Sequence, residues 1–176
     1  MRTLLLDRDG VINADSPDYI RSADEWRPLP GSLAAIARAQ HAGMRIIVVS
    51  NQSGLGRGLF DIAALNGIHR RLASELAPFG ARVDAFFFCP HTPDDACECR
   101  KPRAGLLRAI QQRLSLDWKD TLVVGDRLSD AEAAQRAGIR AVLVESGLTR
   151  PDANAAAALG VSAIYADLEA VVEAIL

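Results

Sequence analysis

Two carboxylates, Asp7 and Asp9, stand two residues apart where the apolar run Thr3–Leu6 ends, and Gly10 follows them. If that run is a short buried strand and the chain turns at the glycine, both acids reach one point. Such a point suits a hard divalent cation and a phosphoryl group. One carboxylate can attack phosphorus and form an acyl-phosphate; the other can handle the proton of the leaving oxygen. Asp-x-Asp-Gly is also a plain turn of solvated acids, so the residues downstream decide. Ser50-Asn51-Gln52-Ser53-Gly54 offers a hydroxyl and backbone N–H groups that can cradle phosphate oxygens, although the same residues make ordinary turns. In Arg100-Lys101-Pro102 the lysine can neutralise a transferring phosphoryl group and keep a nucleophilic carboxylate ionised, and Arg100 can fork onto a second phosphate. Gly125-Asp126-Arg127-Leu128-Ser129-Asp130 supplies an acid that completes an oxygen-rich site for Mg²⁺, an ion that takes few carboxylates plus waters and phosphate. Asp130 either supports that site or caps the helix behind it.

All 3 cysteines fall within residues 89–99. Cys89, His91, Cys97 and Cys99 form C-x-H-x5-C-x-C, three thiols and an imidazole, which is a complete tetrahedral set for Zn²⁺. With no ligand position left for water, the zinc would be structural, and it would fix the loop that delivers Arg100 and Lys101. A group of buried free thiols is the plainer alternative. An odd, clustered set without a secretion signal is not a disulfide framework.

The elements that must position these residues alternate along the chain. Besides Thr3–Leu6, the runs Arg45–Ser50, Ala85–Cys89, Thr121–Val124 and Ala141–Val144 predict buried parallel strands. Helical spacing appears over Ser32–Ala42, Asp61–Leu76, Arg103–Leu114 and Asp130–Ala137, and Asp167–Leu176 closes the chain as a last helix. Ala153–Ala158 reads as ordinary helix. Pro30-Gly31-Ser32 and Ser129-Asp130 suit helix starts, and Gly43 and Gly138 suit helix ends. This alternation predicts an α/β fold, a Rossmann-like doubly wound parallel sheet in a single domain over residues 1–176. Asp7, Ser50, Cys89 and Asp126 then all meet the carboxyl edge of the sheet, where open α/β sheets bind ligands. Between Asp9 and Ser50 there is no room for a cap domain, so selectivity must come from loops.

Composition narrows the classes of partner. With 49% hydrophobic residues, 24% charged residues and a net charge of −2, the chain reads as a globular protein with no basic block for nucleic acid or a membrane surface. No run is long enough to span a bilayer and no signal layout opens the chain, so the expected location is cytoplasmic. With no surplus apolar element visible, a monomer is expected. His41 and His69 lie in helical patterns and read as surface or packing residues; Phe86–Phe88 reads as core, and Trp26 as core or loop lining.

Taken in order, D-x-D-G, S-N, R-K-P and G-D-x-x-x-D resemble the motifs of the haloacid dehalogenase-like (HAD) phosphatase superfamily over residues 3–145. The resemblance implies the HAD fold and a phosphoaspartyl mechanism. Asp7 would be the nucleophile and Asp9 the acid that protonates the leaving group and then activates water. Ser50 and Lys101 would stabilise the phosphoryl group, and Mg²⁺ would be bound by Asp7, the Asp9 carbonyl and Asp126. The zinc-loop pattern ending in C-E-C-R-K-P resembles two families within that superfamily, the D-glycero-D-manno-heptose 1,7-bisphosphate 7-phosphatases and the histidinol-phosphate phosphatases. Asn51-Gln52-Ser53-Gly54 with Arg57 and Gly58, and Asp15 with the segment Tyr19–Trp26, resemble the heptose enzymes. Gly125-Asp126-Arg127 resembles the histidinol enzymes, which leaves histidinol phosphate as the alternative substrate. Arg57, Arg100 and Arg127 can serve the far phosphate of a sugar bisphosphate. Asp15 and Asp18 can meet sugar hydroxyls or an amine. The arginines favour the heptose bisphosphate, whose dephosphorylation the resemblance places in the supply of activated heptose for bacterial surface polysaccharide, including lipopolysaccharide. Two rivals remain, a non-catalytic zinc-stabilised binding module and a nucleic-acid 3′-end phosphatase.

Overall fold

Three consecutive leucines, Leu4, Leu5 and Leu6, are all at most 2% exposed because their strand lies in the middle of a parallel sheet covered on both faces. A computed structural model describes residues 2–176. The chain runs through β1 (Thr3–Leu6), α1 (Ser32–His41), β2 (Arg45–Asn51), α2 (Ser53–Gly56), α3 (Ile62–Leu76), β3 (Ala85–Cys89) and α4 (Gly105–Leu114). It continues through β4 (Thr121–Gly125), α5 (Leu128–Ala137), β5 (Arg140–Val144), α6 (Ala153–Ala158), β6 (Ile164–Tyr165) and α7 (Leu168–Ile175). Among the described residues the sheet has six strands in the order β3-β2-β1-β4-β5-β6, and every pairing is parallel. This is the doubly wound HAD-like fold. Strand order reverses between β1 and β4, which makes their carboxyl ends the topological switch point.

Side chains alternate along each strand, so the sheet builds two cores. Leu4 and Leu6 pack with Ile36 of α1, Ile68 and Leu72 of α3 and Val171 and Val172 of α7. Leu5 packs on the other face with Ile47 and Val49, Leu107 and Ile110 of α4 and Ala133 and Ala134 of α5. The segment between β1 and α1 is anchored by Val11, Ile12 and Trp26, all fully buried, so it is held without regular structure of its own.

Several sequence expectations shift. The two-residue β6 and the four-residue α2 are too short to carry a periodic signal. Helix α4 begins at Gly105 rather than Arg103, and α5 begins at Leu128 rather than at Ser129-Asp130, with Asp130 three residues inside and accepting the Arg127 N–H at 3.1 Å. Phe86–Phe88 is half-buried rather than core, because β3 is an edge strand. Trp26 is core, His41 is exposed and His69 packs against Phe86. Among the described residues no helix is long and apolar enough to cross a membrane.

Candidate active site

Asp7 leaves β1 with its N–H bonded to the Val124 carbonyl of β4 at 2.9 Å, so the carboxylate stands at the switch point. Lys101 arrives there from the loop after the cysteine cluster. Its ammonium donates to Asp7 Oδ1 at 2.8 Å and to the Val49 carbonyl at 3.0 Å, and it pairs with Asp130 Oδ1 at 2.5 Å. Burial alone would lower this ammonium, but Asp130 and Asp7 outweigh it and hold it above its ordinary value. Burial pushes the Asp7 carboxyl up to about 6 against the pull of Lys101. Asp130 therefore does both things left open by the sequence, since one oxygen holds Lys101 and the other holds the N-terminus of α5.

Asp126 ends β4 almost wholly buried, and neither carboxylate oxygen has a hydrogen-bond partner among the described residues. Burial first, then the charges of Asp7 and Asp130, push it up to about 8. Two buried, unpartnered oxygens beside other carboxylates mark a place for a cation rather than for a packed side chain. Asp7, Asp126 and Asp130 each offer an oxygen within one 4.8 Å cluster. Gly10 keeps this pocket open. It sits at φ +84°, and a Cβ there would lie 2.5 Å from Asp126 Oδ2.

Asp9 faces the same cavity, about 490 Å³ in volume, which is also lined by Asp15, Tyr19, Asn51, Gln52, Ser53, Arg100, Lys101 and Arg127. Ser50 is buried beneath it with its hydroxyl unpartnered among the described residues. Across the mouth, Arg127 pairs with Asp15 at 2.6 Å and lies 3.6 Å from Asp126. Asn51 clamps the Lys101 backbone with a reciprocal pair: its amide donates to the Lys101 carbonyl at 3.0 Å and accepts the Lys101 N–H at 3.1 Å. Asp18 lines a neighbouring groove of about 390 Å³ instead, and Arg57 ends α2 exposed, outside the walls of both.

Cys89, His91, Cys97 and Cys99 converge at the end of β3. Their sulfurs stand 3.2–3.6 Å apart, and His91 Nδ1 lies 3.6 Å from Cys89 Sγ and 3.2 Å from Cys99 Sγ. Tetrahedral thiolates at the usual zinc bond length would stand about 3.8 Å apart, so the cluster is already close to a ligand shell. Arg103 pins the loop by donating to the Ala96 and Cys97 carbonyls.

The family model for HAD-hyrolase-like proteins matches residues 98–171. The chain is 50% identical over 147 residues to a D-glycero-beta-D-manno-heptose-1,7-bisphosphate 7-phosphatase of Bordetella bronchiseptica, covering 84% of this chain and 82% of that one. It is 48% identical over 144 residues to the enzyme of that name from Pseudomonas aeruginosa, covering 82% and 81%. It superposes with a TM-score of 0.91, at 46% identity and over 99% and 98% of the two chains, on a crystal structure of the B. bronchiseptica D,D-heptose 1,7-bisphosphate phosphatase in complex with magnesium and phosphate.

Proposed function

The chain belongs to the D-glycero-beta-D-manno-heptose-1,7-bisphosphate 7-phosphatase family of HAD-like hydrolases, and from that premise we propose that it hydrolyses the C7 phosphate of a heptose 1,7-bisphosphate in the supply of activated heptose for surface polysaccharide. The observation that carries the reading is the triple seat of Lys101 on Asp7, Asp130 and the Val49 carbonyl, next to the buried Asp126 carboxylate, whose oxygens accept no hydrogen bond among the described residues.

On this reading an Asp7 oxygen attacks phosphorus in line. The bond to the C7 oxygen breaks, and Asp9 gives that oxygen a proton. Water then attacks the phosphorus of the Asp7 acyl-phosphate, Asp9 takes the proton, and the electron pair of the breaking bond returns to Asp7. Lys101 and the Ser50 hydroxyl hold the equatorial oxygens. Asp7, the Asp9 carbonyl and Asp126 would hold Mg²⁺, and the Asp126 oxygens, which accept no hydrogen bond among the described residues, fit it. When bound, the ion offsets charge on the transferring phosphoryl group. Arg100 and Arg127 reach the cavity wall and would take the far phosphate, with Asp15, Asn51, Gln52 and Ser53 around the sugar. Asp18 and Arg57 need a loop movement to join them. Cys89, His91, Cys97 and Cys99 would hold a structural Zn²⁺ that fixes the Lys101 loop. We place the enzyme in the cytoplasm, where reduced thiols persist, as a monomer of one domain; light scattering checks the last point.

Relatives at 50% and 48% identity named for the heptose enzyme favour that substrate over histidinol phosphate. The test is kcat/KM with Mg²⁺ for the two phosphates side by side. A preference of about a hundredfold or more for the bisphosphate is expected. The reverse preference moves the enzyme to histidinol phosphate, and an Asp7→Asn protein that stays active removes the phosphoaspartyl mechanism.

A further inference from the structure

Asp9 is held far more completely than its partner Asp7. Oδ1 accepts from Arg8 Nε at 2.9 Å and from Asn13 Nδ2 at 2.8 Å. Oδ2 accepts from Arg8 Nη2 at 2.8 Å and from Gln52 Nε2 at 3.1 Å. Arg8 thus forks onto both oxygens, and its Nη2 also reaches Gln52 Oε1 at 3.3 Å. The guanidinium is wholly buried, whereas the Asp9 side chain is 21% exposed to the cavity. A fully desolvated arginine whose fork meets one carboxylate is not a surface pair of negligible consequence. Behind it His69 lies stacked 4.1 Å from Phe86. Burial, and then the charge of Arg8, push the His69 imidazolium down to about 4. At neutral pH Arg8 is therefore the cation of this corner, and its hold on Asp9 has no competitor there.

We propose that Arg8 is a positioning residue for the reaction: it acts through Asp9, fixing both carboxylate oxygens so that Oδ2 faces the cavity and can receive the proton of the hydrolytic water. The inference rests on the phosphoaspartyl reading above. The Gln52 bond is the longest of the four, and it is the one that a water can replace. In the second half-reaction the water oxygen bonds to phosphorus, the bond from phosphorus to the Asp7 oxygen breaks with its electron pair returning to Asp7, and the proton passes to Asp9. That step needs an oriented Asp9 whatever the leaving group was. The first half-reaction needs the Asp9 proton only when the leaving oxygen is poor, as in a sugar alkoxide. An aryl oxide leaves without it.

The two halves can therefore be read separately. Zinc-loaded wild type, Arg8→Met and Arg8→Lys are mixed in excess over p-nitrophenyl phosphate with Mg²⁺, following nitrophenolate and inorganic phosphate in one turnover. In Arg8→Met, nitrophenolate release is expected within about threefold of wild type while phosphate release lags by about tenfold or more, a fraction of what an acid–base group supplies. Arg8→Lys, which keeps the charge and loses the fork, is expected between the two. If Arg8→Met does not fold, the same lag in Arg8→Lys carries the reading. Equal slowing of both products, or no slowing of either, overturns the role of Arg8 and leaves the phosphatase reading standing. A wild type that releases neither product removes both.

Discussion

Removing the Asp130 charge separates a helix cap from a charge that seats the catalytic lysine. Asp130→Asn keeps the shape of the side chain and can still accept the Arg127 N–H, now at 3.1 Å. What it loses is the 2.5 Å pair with Lys101, in which both side chains are 5% exposed or less. Loss of a cap alone costs about 1 kcal/mol. Removing one partner of a buried ion pair costs about 3–5 kcal/mol, since the other charge is left uncompensated. Lys101 keeps Asp7 at 2.8 Å and the Val49 carbonyl at 3.0 Å, so the low end, about 3 kcal/mol, is expected. Lys101→Met should cost a similar amount by leaving Asp7 and Asp130 without their shared cation. The double variant should cost less than the two singles together by about 1.5 kcal/mol or more, because neither partner is then stranded. Urea unfolding at neutral pH with zinc present, accepted only where the slope is unchanged, gives the three values. An Asp130→Asn cost near that of a cap, or costs that add to within about 0.5 kcal/mol, would refute the reasoning.

Four further outcomes are expected. Gly10→Ala puts a Cβ 2.5 Å from Asp126 Oδ2 at a φ of +84°, so a Mg²⁺ titration of activity should shift by about tenfold or more, with about 1–2 kcal/mol of stability lost to the left-handed backbone. Asp7 and Asp126 carry carboxyls raised to about 6 and about 8 from 3.8. The folded chain without Mg²⁺ therefore holds extra protons, and their stabilising contribution is complete below pH 3.8 and is lost as pH rises through 6 and 8. The rise in Tm on adding Mg²⁺ should accordingly grow from acidic to alkaline pH, and an equal rise throughout would count against it. Cys97→Ser should bind less than about one zinc per chain by metal analysis and lower both Tm and kcat, because the loop carrying Lys101 loses its anchor. Asn51→Ala should lower kcat by about tenfold besides raising KM, since its amide holds the Lys101 backbone as well as lining the cavity; a change confined to KM would leave Asn51 a substrate contact alone.

The site was legible where chemistry demands particular residue types at the ends of strands. Asp7 and Asp126 are of this kind: a charged residue directly after a short apolar run is visible in one dimension, and parallel pairing carries both to one edge. Hidden roles depend on partners far along the chain. Arg8 carries no sequence signal of its own, because its partner Gln52 lies 44 residues on. Asn51 reads as part of a phosphate cradle until the cysteine-bearing loop returns Lys101 to it, 50 residues later. The start of α5 was misplaced for a related reason. Ser129 is the better intrinsic cap, but the helix begins two residues before Asp130, at Leu128, with Asp130 paired to Lys101. Neither β6 nor α2 spans enough residues to show a period.

Charge placement explains how two carboxylates two residues apart can take different work. Asp7, Asp126 and Asp130 crowd together near the ammonium of Lys101, with Arg127 3.6 Å from Asp126, and burial still lifts the carboxyls of Asp7 and Asp126. A divalent cation held there would supply further positive charge and keep Asp7 unprotonated, as the proposed nucleophile requires. Asp9 stands outside this arrangement because Arg8 is its own counter-charge. With a neutral residue in place of Arg8, Asp9 would lose its counter-charge and join the other three carboxylates, and protons and Mg²⁺ would then compete for the same carboxylate oxygens. The buried guanidinium between the two aspartates is what separates nucleophile from acid–base along three residues of backbone.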